Sequence, residues 1–378
     1  MPGQTRRKWA QAAMCAVALA APLAVSGCAS QAGANGAAGS GPGSSSSPSG
    51  TPSTVPNTAG TPAPASSTAS PAAPATSAST SASAPASSAP VALNATGGTG
   101  VVVADGTGKV LMNGKAVDFG TAVHDPAFSP DGKKVAFIDG GGNLVVANAD
   151  GSGRVEVARN ADGQKWSHPT WQVTPADQYR PARDIIFFAS SAKGGTLWQV
   201  QGVEHDGKPT TLGLIGYFDP QEVPPPATGN VWPSASGKFG TAVYEHDNGS
   251  SSDLYVRDDY LRQQGGLVIK NAAEPDFVLV GGSASSEGDP EVVFVRQVNG
   301  HQHVFVSPVQ TSTGGQSPVP HDVTPNATAD CSMPALSPDG KTVAYSTAAG
   351  VFTVSVKGSA APKQVTDIPG FPTFRAAS

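Results

Sequence analysis

DPAFSPDGKKVAFIDGGGNLVVANADG, Asp125 to Gly151, returns later as MPALSPDGKTVAYSTAAGVFTVSVKG, Met333 to Gly358. Between Pro126–Ala136 and Pro334–Ala344, nine of eleven positions are identical at a constant offset of 208 residues. This internal repeat decides the architecture, because one structural unit must be built more than once.

The unit reads as four short strands. In Ser129-Pro130-Asp131-Gly132 the proline presets φ for the first central turn position, Asp suits the second, and Gly accepts the left-handed conformation that follows. Such a turn joins an antiparallel pair, Pro126 to Ser129 and Lys134 to Ile138. Gly140-Gly141-Gly142 then leads to a strand at Leu144 to Ala147, and Asp150-Gly151 leads to a fourth at Arg154 to Val157. One such sheet cannot bury its own faces, so copies must stack.

Degenerate copies of the first strand occur at Pro169 (HPTWQ), Pro233 (WPSASGK), Pro275 (EPDFV) and Pro372 (FPTFR), making six starts with Pro126 and Pro334. Their spacings of 43, 64, 42, 59 and 38 residues suit four-stranded propeller blades with loop insertions. The last start has too little chain after it for a blade. GVVVADGTGKVLMNG, from Gly100, matches the third and fourth strands of the first unit in pattern. The Pro372 strand is therefore expected to join Val101 to Ala104 and Lys109 to Met112 in one composite blade, closing the ring and removing exposed edges.

The P-x-[FWL]-SPDG-K-x-[VI]-A-[FY] unit resembles the repeat of TolB-like (WD40-like, PD40) β-propellers, over residues 97 to 378. The resemblance implies an all-β, six-bladed propeller with largely binding or scaffolding roles. It implies no single activity, because propellers host many functions.

Ahead of the repeats, Arg6-Arg7-Lys8 precedes an apolar run from Ala12 to Val25 and small residues at Ser26-Gly27. This pattern is a secretory signal over residues 1–27, too short to span a membrane. Val25-Ser26-Gly27-Cys28 resembles the lipobox of bacterial lipoproteins, which implies lipidation of Cys28 and a membrane anchor; the alternative is an ordinary signal with a chance cysteine. Thr5 to Trp9 resembles a twin-arginine export motif, and an ordinary basic region fits equally. Residues 28–96 are nearly all Ala, Ser, Thr, Pro and Gly, with no charged residue between Trp9 and Ala104. Such a chain buries too little apolar surface to offset its ordering entropy. It reads as a tether, about 45 Å in rms span as a flexible coil, and its Ser/Thr/Pro content permits O-glycosylation.

Without the three basic signal residues, 20 Lys+Arg stand against 28 Asp+Glu, a net charge of −8. No basic patch or arginine run interleaved with aromatics occurs, so nucleic acid is not an expected partner. Cys15 falls in the signal and Cys28 at the lipid site, leaving Cys331 alone in the domain, where it reads as a buried small apolar residue.

The chain has no G-x-S-x-G elbow, P-loop, H-E-x-x-H or C-x-x-C pair. No hydrolase domain follows the last blade, which weighs against a peptidase. The starts of inner strands surround a propeller's channel, so His124, Asp125, His168, Trp232, Glu274, Met333 and Phe371, with Arg375 further along, are candidate channel-mouth residues. His, Asp and Glu from different blades could hold a divalent cation or organise acid–base chemistry; alternatively they cap strands and bond between blades. His301 and His303 share a strand face and read as surface histidines. Loops at Asp219 to Gly229 and Thr311 to His321 are candidate partner surfaces.

The leading expectation is a lipid-anchored extracytoplasmic binding or scaffold propeller of the cell envelope. Its channel mouth and loops would take a protein, peptide or glycan. The alternatives are a metal-dependent hydrolase, lactonase or lyase using His124, His168 and Glu274, and a purely structural platform.

Overall fold

The structure, a computed structural model, describes residues 92–376 except 177, 179–180, 203–204, 215–224, 236–240, 259–265, 281–288, 310–318 and 359. The export signal, Cys28 and the tether to residue 91 lie outside the described residues, as do parts of both candidate loops.

Six four-stranded antiparallel sheets follow one another. Blade 1 runs His124–Phe128, Lys134–Ile138, Leu144–Asn148 and Val155–Ala158. Blades 2 to 5 open on Trp166–Thr174, Asn230–Ala235, Ala273–Val280 and Ser332–Leu336. In blade 6 the C-terminal Phe371–Phe374 pairs with Val101–Ala104, which continues through Lys109–Met112 to Lys115–Asp118. These strands share a blade as the sequence pattern implies, and register places Val101 opposite Phe374 and Ala104 opposite Phe371. Among the described residues the one helical segment is a short 3-10 turn, Ala192–Gly194, in the blade 2 hairpin.

The SPDG turns form as their residues dictate. Ser129 Oγ donates to Asp131 Oδ1 at 2.6 Å, and Gly132, at φ +67°, donates its N–H to Ser129 O at 2.8 Å. Ser337, Asp339 and Gly340 repeat the arrangement.

Apolar side chains alternate towards two neighbours, and each blade is covered on both faces. Val102, Phe119 and Phe137 pack blade 6 against blade 1, while Val146, Trp171 and Phe188 pack blade 1 against blade 2. Comparable clusters fill the four remaining interfaces. Burying a large apolar side chain is worth about 1.5–3 kcal/mol, so the six interfaces hold the ring together.

The propeller also reaches upstream of Gly97. Leu93 N donates to Asp367 Oδ1 at 3.0 Å, and Thr96, fully buried, accepts from Gly114 N. These last residues of the expected tether are tied to the propeller. Cys331 is 2% exposed, and burial pushes its thiol up to about 11. His303 departs from expectation: it is buried, with Nδ1 2.9 Å from Asp322 Oδ2 on the outer strand beside it.

Candidate functional site

Five inner strands carry the same irregularity beside the channel. Asp125, His168, Trp232, Glu274 and Met333 each precede a proline and sit at φ between +47° and +53°. At each the pairing register slips, as between His124 and Ala127 in blade 1. Proline disfavours the α region for the residue before it, and a left-handed non-glycine residue costs roughly 1–2 kcal/mol. Hydrogen bonds to the neighbouring blade offset that cost at three of them. His168 N donates to Asp125 Oδ2 at 3.0 Å, Glu274 N to Glu245 Oε2 at 2.8 Å, and Met333 N to Glu274 Oε2. The sixth strand has no bulge, and Phe371 pairs directly with Ala104.

One residue past each proline runs a second ladder. Ala235 N donates to Thr170 Oγ1, Phe277 N to Ser234 Oγ, and Leu336 N to Asp276 Oδ2, at 2.8 to 3.0 Å. Ser234 Oγ in turn donates to Asp276 Oδ1 at 2.9 Å. Asp276 thus ties blades 3, 4 and 5 with one carboxylate. Burial pushes its pKa up, against the lowering effect of these donors, and no ion pair joins it among the described residues.

All six prolines line a narrow waist of about 60 Å³. An aromatic collar stands there: the His168 and Trp232 rings stack at 3.6 Å, and Phe371 lies 5.8 Å from the first and 6.1 Å from the second. At the C-terminal ends of the inner strands the channel opens into a mouth of about 650 Å³. Ala127, Thr170, Asp276 and Thr373 are shared between waist and mouth, so they form its floor. Phe128, Leu279, Val280 and Phe374 wall it, with Asp339 and Lys341 at the rim. On the opposite face a cleft of about 490 Å³ contains His124, Asp125, Met333 and Phe371.

The candidate residues from the sequence are distributed accordingly. Asp125, His168 and Trp232 line the waist. His168 Nδ1 is 3.8 Å from Asp125 Oδ2, too long for a hydrogen bond, and burial holds its pKa down. His124 is exposed and packs over Gly106 on the far face. Glu274 turns sideways into the blade interface; burial and the Glu245 carboxylate push it up to about 7 although Met333 N–H opposes them. Arg375 belongs to the other end of the channel, where its Nε donates to Gly132 O at 2.8 Å. One mouth therefore does not collect them all. Among the described residues no group of three His, Cys, Asp or Glu is placed to hold a metal ion.

Asp276, Thr170 and Thr373 escaped the sequence reading. The signal was available: after the six prolines stand Ala127, Thr170, Ser234, Asp276, Ala335 and Thr373, one acid in a series of small residues.

No protein-family model and no curated protein matches the chain. Similar solved structures include TolB from Acinetobacter baumannii, at 14% identity and TM-score 0.49, covering 73% of this chain and 65% of that protein's length. A protein described as TolB from Agrobacterium tumefaciens gives 14% identity and TM-score 0.47, covering 71% of this chain and 88% of that one. A chain of the nidogen/laminin complex gives 14% and 0.46, covering 73% and 98%. Among the described residues no helix is long and apolar enough to cross a membrane.

Proposed function

We propose that this chain is a lipid-anchored, extracytoplasmic binding propeller that takes a protein or peptide segment into its 650 Å³ channel mouth. The mouth carries the reading: it is concave, walled by apolar side chains and floored by a few polar groups, in the size range of about 300–1,000 Å³ typical of ligand sites. The sequence supports the setting. Cys28 carries the lipid, and the Ala/Ser/Thr/Pro/Gly-rich tether holds the mouth away from the membrane. The metal-dependent alternative needs His124, His168 and Glu274 as a set, and no observation of their placement favours it.

The test is photo-crosslinking in intact cells from Phe374 in the mouth and, as a control, from Val155 on the outer strand of blade 1. Capture of one envelope partner from Phe374 alone is expected, and Cys28→Ser should release the chain from the membrane fraction. Capture from Val155 with none from Phe374 would move the binding surface to the blade faces.

A further inference from the structure

Among the described residues the floor of the mouth holds one acidic side chain and no basic one. Asp276 Oδ1 receives Ser234 Oγ–H and Oδ2 receives Leu336 N–H, and Phe277 N–H also favours the carboxylate; all three donors are neutral. Lys341 is the cation of the mouth's lining among the described residues, and Arg375 sits in the chain between the lining residues Phe374 and Ala376; both are engaged elsewhere. Lys341 Nζ pairs with Asp339 at 3.0 Å and Arg375 Nε donates to Gly132 O. The other floor residues, Ala127, Thr170 and Thr373, are uncharged; a hydroxyl oxygen has two acceptor lone pairs, and Thr170 Oγ1 uses one on Ala235 N–H.

We propose that this floor binds a primary ammonium group, with Asp276 as its counter-charge and the attached chain lying against Phe128, Leu279 and Phe374. The proposal rests on the mouth being the binding site and adds what that site selects. An ammonium presents three N–H donors and no acceptor, matching a floor made of acceptors. A calcium ion takes about six to eight oxygens, and one carboxylate with two hydroxyls falls short of that. A cation brought by the ligand also compensates a carboxylate whose burial disfavours its lone charge. The chemistry is that of a peptide N-terminus or of a lysine side chain.

Calorimetric titration of the full chain with butylammonium chloride, n-butanol and calcium chloride tests it. Saturable binding of butylammonium alone is expected, weakened about tenfold or more by Asp276→Asn, in line with hydrogen bonds to charged groups, and less by Thr373→Val. A peptide with a free N-terminus should compete, and its acetylated form, with and without a lysine, tells the two sources apart. Equal binding of butanol, saturation by calcium alone, or an unchanged Asp276→Asn would overturn the proposal. Where Asp276→Asn fails to fold, the contrast between butylammonium and butanol on the wild-type chain decides. If ammonium binding is absent while Phe374 still captures a partner in cells, the ammonium specificity falls and the mouth remains the binding site.

Discussion

Glu274 shows how one residue can serve the ring and strain it. Its carboxylate accepts Met333 N–H in blade 5, while its own N–H is held by Glu245, whose other oxygen accepts Ser252 Oγ–H. Both carboxylates are pushed up, first by burial and then by each other or by a nearby acid, and Glu274 reaches about 7. A folded-state pKa raised above its unfolded value means that the native state holds the proton more tightly. The associated stability is present below the unfolded value and is lost as pH rises through about 7. Glu274→Gln keeps an oxygen for Met333 N–H and removes the charge. Its unfolding free energy should lie near that of wild type at pH 5 and exceed it at pH 8 by roughly 3 kcal/mol, the rise from 4.5 to about 7 taken at about 1.4 kcal/mol per pKa unit. Equal midpoints at both values would mean that Glu274 is ionised without penalty. In the sequence Glu274 read as a candidate channel-mouth acid; that its N–H is held by another carboxylate 29 residues upstream was invisible.

The repeated element is the inner hairpin, and the residues of its turn were legible in the sequence. The SPDG order names the proline, the acceptor and the left-handed glycine, and each takes its expected place. What surrounds the turn was not legible. A Cβ on Gly132 would stand 2.5 Å from Ala376 O, and one on Gly340 would stand 2.6 Å from a Val280 methyl. Gly132→Ala therefore meets backbone as well as the cost of φ +67°, about 1–2 kcal/mol. It should lower the midpoint of thermal unfolding by roughly 4 °C or more, and by more than Gly340→Ala, where a side chain can yield. Equal losses would show that the C-terminal residues do not pack on the blade 1 turn. The bulge explains why the channel residues were harder to place than the turn. Side chains alternate at a strict period of two, and one extra residue transfers everything beyond it to the other face. The pre-proline slips occur at the channel itself, so Thr170 and Asp276 took the floor. Arg375, four residues beyond Phe371 and thus about 13 Å along the strand, lies at the mouth end, away from the cleft that holds His124.

At the scale of the whole molecule the ring is held by contacts between the two ends of the propeller. Phe371–Phe374 covers the edge of Val101–Ala104, all four of which are buried. Deleting residues 371–378 should expose that edge and its apolar faces, replacing a single cooperative melt by aggregation, read by light scattering during heating. A monomer with an unchanged melt would mean that closure is not needed. That the chain closes in this way follows from the sequence alone, because six proline starts were present and the last lacked the strands that the region from Gly100 supplies. Blade number, strand order and turn chemistry are properties of local pattern and spacing, so the sequence determined them. The aromatic collar, the 60 Å³ waist and the unpaired Asp276 were decided by the tertiary structure. Each is a meeting of residues from different blades, from 42 positions apart for Ser234 and Asp276 to 203 for His168 and Phe371, brought together by ring curvature and bulges that leave no periodic mark in the sequence.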